Sequence, residues 1–113
     1  MKTFILLFAA VLTSDFKEAA TDAADAIDRA SHLHLEDRRS FVQARTEYEK
    51  LIQKSDRLRK TKEDNRAQLY LIMYSSQVAK CDSIARTNHI KQFEDCLEDE
   101  KREGKQLRDA LSQ

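Results

Sequence analysis

Two cysteines, three histidines and a run of carboxylates are the residues of this 113-residue chain whose chemistry could go beyond solvation. Cys81 and Cys96 form an even pair in a short chain. Such a pair reads as a disulfide if the chain is exported and as two reduced thiols if it stays in the cytosol. His32 and His34, followed by Glu36 and Asp37, resemble a set of metal ligands. On a helix, however, positions two apart point about 200° away from each other. His32 with Glu36 is helically compatible but supplies only two ligands, and a zinc site needs more. The expectation is two exposed loop histidines, with His89 also exposed in a turn. Cys81 and His89 are two helical turns apart, but poor helix formers at Thr87-Asn88-His89 spoil that register as a nucleophile–base pair. The acidic run Glu94, Asp95, Glu98, Asp99 and Glu100 leads into Lys101 and Arg102 and reads as a solvated face with i,i+4 pairing. The expectation is a non-enzymatic protein with no metal and no cofactor.

Composition narrows the fold that must position these groups. One Gly and no Pro cannot supply the tight turns of a β-sandwich or barrel, nor a Gly-rich phosphate loop. Hydrophobic residues make up 41% and formal net charge is zero, which argues against a disordered chain. An all-α fold remains, a small bundle of three to four helices in one domain over residues 15–113.

The first segment reads Met1-Lys2-Thr3, then Phe4 to Leu12 without a charge, then Thr13-Ser14-Asp15. A basic start before a short apolar run matches a secretory signal peptide, here residues 1–14, with cleavage expected after Thr13 or Ser14. Nine helical residues span about 13 Å and a bilayer core about 30 Å, so the run is no membrane span. The competing reading is an uncleaved apolar helix start, buried in the core or in a partner.

Apolar spacing predicts four helices. The first starts at Ser14 or Asp15, with Asp15 as N-cap and Glu18 completing a capping-box-like pair. Its stripe is Phe16, Ala19, Ala23, Ala26/Ile27, Ala30 and Leu33, and Asp22, Asp25 and Asp28 take the outer face. The second carries Phe41, Ala44, Tyr48, Leu51/Ile52, Ser55 and Leu58. Beyond Leu58 the seam fails. Thr61 followed by Asp64 gives a restart signal, and a break there is favoured. With no Gly or Pro between, one continuous central helix over about 40–86, flanked by shorter ones, is the alternative. The third helix contains Leu69, Tyr70, Leu71, Ile72, Met73 and Tyr74, apolar all round, which predicts burial or contact on more than one face. The fourth starts near Ile90 with Phe93, Leu97, Leu107 and Leu111 on its stripe. Gly104 sits on that stripe, either ending the helix or admitting a close neighbour.

The sequence midpoint of the two cysteines falls inside the Asn88-His89 break. An antiparallel hairpin turning there sets Cys81 level with Cys96, both near the apolar stripe, within reach of disulfide geometry.

Charge is segregated along the chain: residues 15–37 hold seven acidic and two basic groups, residues 38–66 ten basic and five acidic. Lys54, Arg57, Arg59, Lys60, Lys62 and Arg66 form a candidate basic patch. Asp56, Glu63 and Asp64 interleave with it and no aromatic does, so it reads as a solvated face rather than a nucleic-acid site. The other candidate is an interaction or core face of Leu69, Tyr70, Ile72, Met73 and Tyr74. Together these readings give a small secreted helical protein that acts by binding a protein partner, or secondarily a small apolar ligand. The alternative is an intracellular structural or adaptor protein with a long central helix, for example in a cytoskeletal assembly. A homodimer through the 69–74 face is compatible with either.

Overall fold

The computed structural model describes residues 11–113. Most of the expected export segment, residues 1–10, lies outside them. Four helices follow: α1 (Ser14–Ser31), α2 (Arg38–Leu58), α3 (Lys62–Ala85) and α4 (Ile90–Leu111). No strand occurs among the described residues. The connections are short and the helices run up-down-up-down. Gln68 on α3 meets Ser55 and Ile52 on α2, Gln77 on α3 meets Cys96 on α4, and Asp25 and Asp28 on α1 meet Arg108 on α4.

Helix α1 packs against all three of the others. Its buried positions are Phe16, Ile27 and six alanines, so neighbouring backbones approach closely on several sides. The start of α1 differs from the expected one. Thr13 is the N-cap, in extended backbone and without a side-chain cap bond, and Asp15 lies in the first turn. A carboxylate there still favours the helix through its dipole.

The α2–α3 junction settles the question of one long helix. Helix α2 ends at Leu58 and α3 begins after Thr61 with a full capping box: the Thr61 hydroxyl accepts from the Asp64 N–H, and the Asp64 carboxylate accepts from the Thr61 N–H. Asp64 also accepts from the Lys60 and Thr13 N–H groups. Four orphan donors at a helix start need partners, and this one buried carboxylate ties the α2–α3 turn to the start of α1. The continuous helix over about 40–86 is therefore not formed. Burial of Asp64 opposes its ionisation, but the hydrogen bonds from Thr13, Lys60 and Thr61 outweigh that and hold its pKa below 3.8.

The third helix is not buried all round. Leu71, Tyr74 and Val78 enter the core and Tyr70 is half-buried. Leu69, Ile72 and Met73 are 56%, 44% and 39% exposed. Three helices pack around α3, and they leave one side open. On α4, Leu107 and Leu111 are core residues, whereas Ile90 at the helix start stands in solvent.

Gly104 lies inside α4 and admits a neighbour. A Cβ added there would stand 3.1 Å from Cζ of Tyr74. Tyr74 cannot easily yield, being buried and fixed by the bond its hydroxyl donates to Asp28 at 2.6 Å. Alanine in a helix interior normally gains about 0.5–1 kcal/mol over glycine. Here Gly104→Ala is expected to lose about 1 kcal/mol instead, because the added methyl overpacks the site. Thermal melts of the two proteins check the sign.

Candidate functional site

The most concentrated chemistry lies where the α1–α2 connection closes over the α3–α4 hairpin. His34, in that connection, is 4% exposed. Its Nδ1 meets Asp82 of α3 at 3.1 Å and its Nε2 meets Glu100 of α4 at 2.6 Å. Arg86, one turn beyond Asp82, donates from Nε to the same carboxylate at 3.1 Å and from its terminal nitrogen to the Glu36 carbonyl. Phe41 of α2 and Phe93 of α4 close over the imidazole, with ring centroids 5.7 and 5.9 Å away.

Both imidazole nitrogens face carboxylates. A neutral ring carries one N–H, so one contact would then set a lone pair against a carboxylate; the imidazolium donates to both. Burial alone lowers the pKa of His34. The hydrogen bonds and attraction of Glu100 and Asp82 outweigh it, and the pKa is raised above 6.5. The imidazolium, together with the partly exposed Arg86 guanidinium, offsets the two buried carboxylates. This corrects the expectation of an exposed loop histidine for His34. His32 and His89 are exposed as expected. No group of three or more His, Cys, Asp or Glu is placed to hold a metal ion among the described residues.

The cysteines stand beside this triad. Cys81 and Cys96 have Cα atoms 5.6 Å apart and sulfurs at disulfide distance, level across the α3–α4 hairpin. Cys81 precedes Asp82, and Cys96 is one turn before Glu100. The pair therefore sets the register of the two helices that carry the carboxylates.

A second polar knot joins α1 to α3 and α4. Arg108 pairs with both Asp25 and Asp28, and Asp28 also accepts the Tyr74 hydroxyl. Asp25 and Asp28 are thus half-buried partners, and only Asp22 of that row is fully on the solvent side. Burial first, then the bond to Asp28, pushes the Tyr74 phenol up. Tyr48 of α2 is buried with no partner for its hydroxyl among the described residues, and burial pushes its pKa up to about 12. An unmatched buried hydroxyl carries a desolvation penalty of about 1–3 kcal/mol. Tyr48→Phe is therefore expected to keep or raise the melting temperature, which a thermal denaturation series will show.

The outer surface of α3 is the other candidate. Leu69, Ile72 and Met73 stand at helical i, i+3 and i+4 spacing, exposed, while Tyr74 from the same sequence run is in the core. All six residues of the candidate basic patch are exposed. Lys54 and Arg57 lie in the last turns of α2, Arg59 and Lys60 in the connection that follows, and Lys62 and Arg66 in the first turns of α3. Only Arg59 has an ion-pair partner, Asp56 at 2.9 Å, among the described residues. A half-open groove of about 420 Å³ runs between α3 and α4, lined by Glu63, Arg66, Tyr70, Gln106, Asp109 and Gln113 among others. Its lining mixes Ala67, Tyr70 and Ala110 with charged and amide side chains. No described helix is long and apolar enough to cross a membrane.

Comparison with protein families, with curated proteins and with solved structures finds no match. The fold and the site define a class on their own terms: an up-and-down all-α four-helix bundle. Its α3–α4 hairpin is joined by cysteines at disulfide distance, and its connection end is tied by a buried charged triad.

Proposed function

We propose that the chain is exported and acts by binding a protein partner through the outer face of α3, without catalysing a reaction. The observation that carries this reading is the exposed seam Leu69–Ile72–Met73. Clustered apolar side chains held in water by an otherwise well-packed domain mark interaction surfaces. The extracellular part rests on the apolar run Phe4–Leu12 behind Lys2 and on the cysteine pair, whose geometry suits an oxidising compartment. The intracellular adaptor reading loses support, because the break after Leu58 removes the extended helix on which it relied.

Leu12 packs in the core and the Thr13 N–H donates to Asp64 at 2.9 Å. Processing ahead of Leu12 preserves both contacts; processing after Thr13 or Ser14 removes them. The test of export is a reporter fused to the C-terminus. The fusion is expected in the medium, and Leu6→Arg with Leu7→Arg is expected to hold it inside the cell. A wild-type fusion retained in the cytosol would contradict the reading.

A further inference from the structure

Two residues of the basic candidate, Lys62 and Arg66, share one side of α3 with the apolar seam. Arg66 is three residues before Leu69, and Lys62 is two turns before it, so both lie on the same side of α3 as the apolar seam. The exposed side of this helix comprises Lys62, Asn65, Arg66, Leu69, Ile72, Met73, Ser76, Lys80 and Ser83. It contains no carboxylate. Of the three acidic residues of α3, Asp64 and Asp82 are buried and Glu63 is half-buried, at the groove toward α4 that Arg66 also lines. In a chain whose acidic and basic residues balance at 20 each, a helix side whose charged groups are all basic is a segregated one. At the start of α3, Arg59 donates to Asn65 on this side while pairing with Asp56.

We propose that this side of α3 docks an acidic amphipathic helix, whose apolar stripe lies on Leu69, Ile72 and Met73 and whose carboxylates meet Lys62 and Arg66. The inference rests on the protein-binding reading above and names the partner's chemistry. The spacing suits a helix, since side chains at i, i+3 and i+4 form a ridge that fits the groove of another helix. Lys62 to Lys80 spans about 27 Å at 1.5 Å per residue, enough for a partner helix of several turns. A second copy of the chain fits poorly. Antiparallel pairing centred on Ile72 sets Lys62 and Arg66 of each copy near Lys80 of the other, and parallel pairing sets like on like. A nucleic acid is disfavoured because no aromatic side chain stands on this side for base stacking. A membrane surface is disfavoured because no Trp or Phe stands on this side to insert.

The test uses the whole oxidised protein and fluorescent synthetic helices of roughly 18 residues, the length that spans the face. Each helix has leucine at i, i+3, i+4 and i+7. One series carries glutamate at the remaining positions, one glutamine and one lysine. Anisotropy titrations are expected to show the acidic helix binding at least about tenfold more tightly than the neutral one, with the preference shrinking as salt rises. Leu69→Ser with Met73→Ser, and separately Lys62→Glu with Arg66→Glu, are each expected to weaken it at least about tenfold. All four sites are exposed, and circular dichroism will confirm that these variants fold. Lys91→Glu with Lys105→Glu, on α4, is expected to leave binding unchanged. Equal or tighter binding of the neutral or basic helix, lost in the Leu69/Met73 variant, overturns the acidic partner but keeps the protein-binding reading. Binding of none of the helices overturns both. Tighter binding to phosphatidylserine-containing vesicles or to a single-stranded oligonucleotide, lost in the Lys62/Arg66 variant, replaces the helix with that surface.

Discussion

Replacing His34 with alanine is expected to lower the unfolding free energy by about 3 kcal/mol near pH 6, because it leaves Asp82 and Glu100 buried without their shared cation. For a domain of this size that is a fall of more than about 10 °C in melting temperature. The effect carries a pH signature. The folded pKa of His34 is raised above its ordinary 6.5, so its contribution is fully present below about pH 6.5 and is lost as pH rises through the folded value. Between about pH 6 and pH 9 the wild-type protein is expected to lose stability while His34→Gln, which cannot titrate, loses less. Urea unfolding at the two pH values measures both differences. Groups around the site from each packed element include Asp82 and Arg86 on α3, Glu100 on α4, and Arg45 and Tyr48 on α2, which lie near enough to Asp82 to feel its charge. Asp64 acts at the opposite end of the pH range. Its pKa is depressed, so its contribution is present above about pH 4 and is lost as pH falls through the folded value.

Opening the link between Cys81 and Cys96 is expected to be the next largest loss. The two residues are 15 apart, and closing a loop of that length stabilises the fold by about 3 kcal/mol in the chain-entropy model. The Cys81→Ser, Cys96→Ser double variant is expected to unfold at correspondingly lower urea. It should also couple to His34. The pair holds Asp82 and Glu100 level across the hairpin, so a cycle combining the serine variant with His34→Ala is expected to be non-additive by about 1 kcal/mol. Additive losses would show that the sulfurs and the imidazole act independently.

Much of the architecture was readable from local pattern. Thr61 and Asp64, three apart, mark the restart of α3, and the structure adds that Asp64 also reaches Lys60 and Thr13. The cysteine midpoint in the Asn88-His89 break places the α3–α4 turn, because equidistance from a turn is a property of any antiparallel hairpin. His34 was hidden for the opposite reason. Its partners are 48 and 66 residues away, and the apolar periodicity lapses around it, so nothing local signals burial. Asp25 and Asp28 misled in the same way. A carboxylate row on an alanine-rich helix looks solvated until Arg108, from the far end of the chain, is placed beside it. In α3 the run of six apolar residues has no polar side to mark the outside. Only the packed neighbours decide that Leu71 and Tyr74 go in while Leu69, Ile72 and Met73 stay out.

The most direct measurement is the intact mass and N-terminal sequence of the protein collected from the medium of expressing cells, alkylated without reduction. A chain shortened at its apolar start, carrying no alkyl group and two hydrogens lighter than its reduced form, is the predicted result. Full-length protein recovered only from the cytosol, with Cys81 and Cys96 both alkylated, would contradict it.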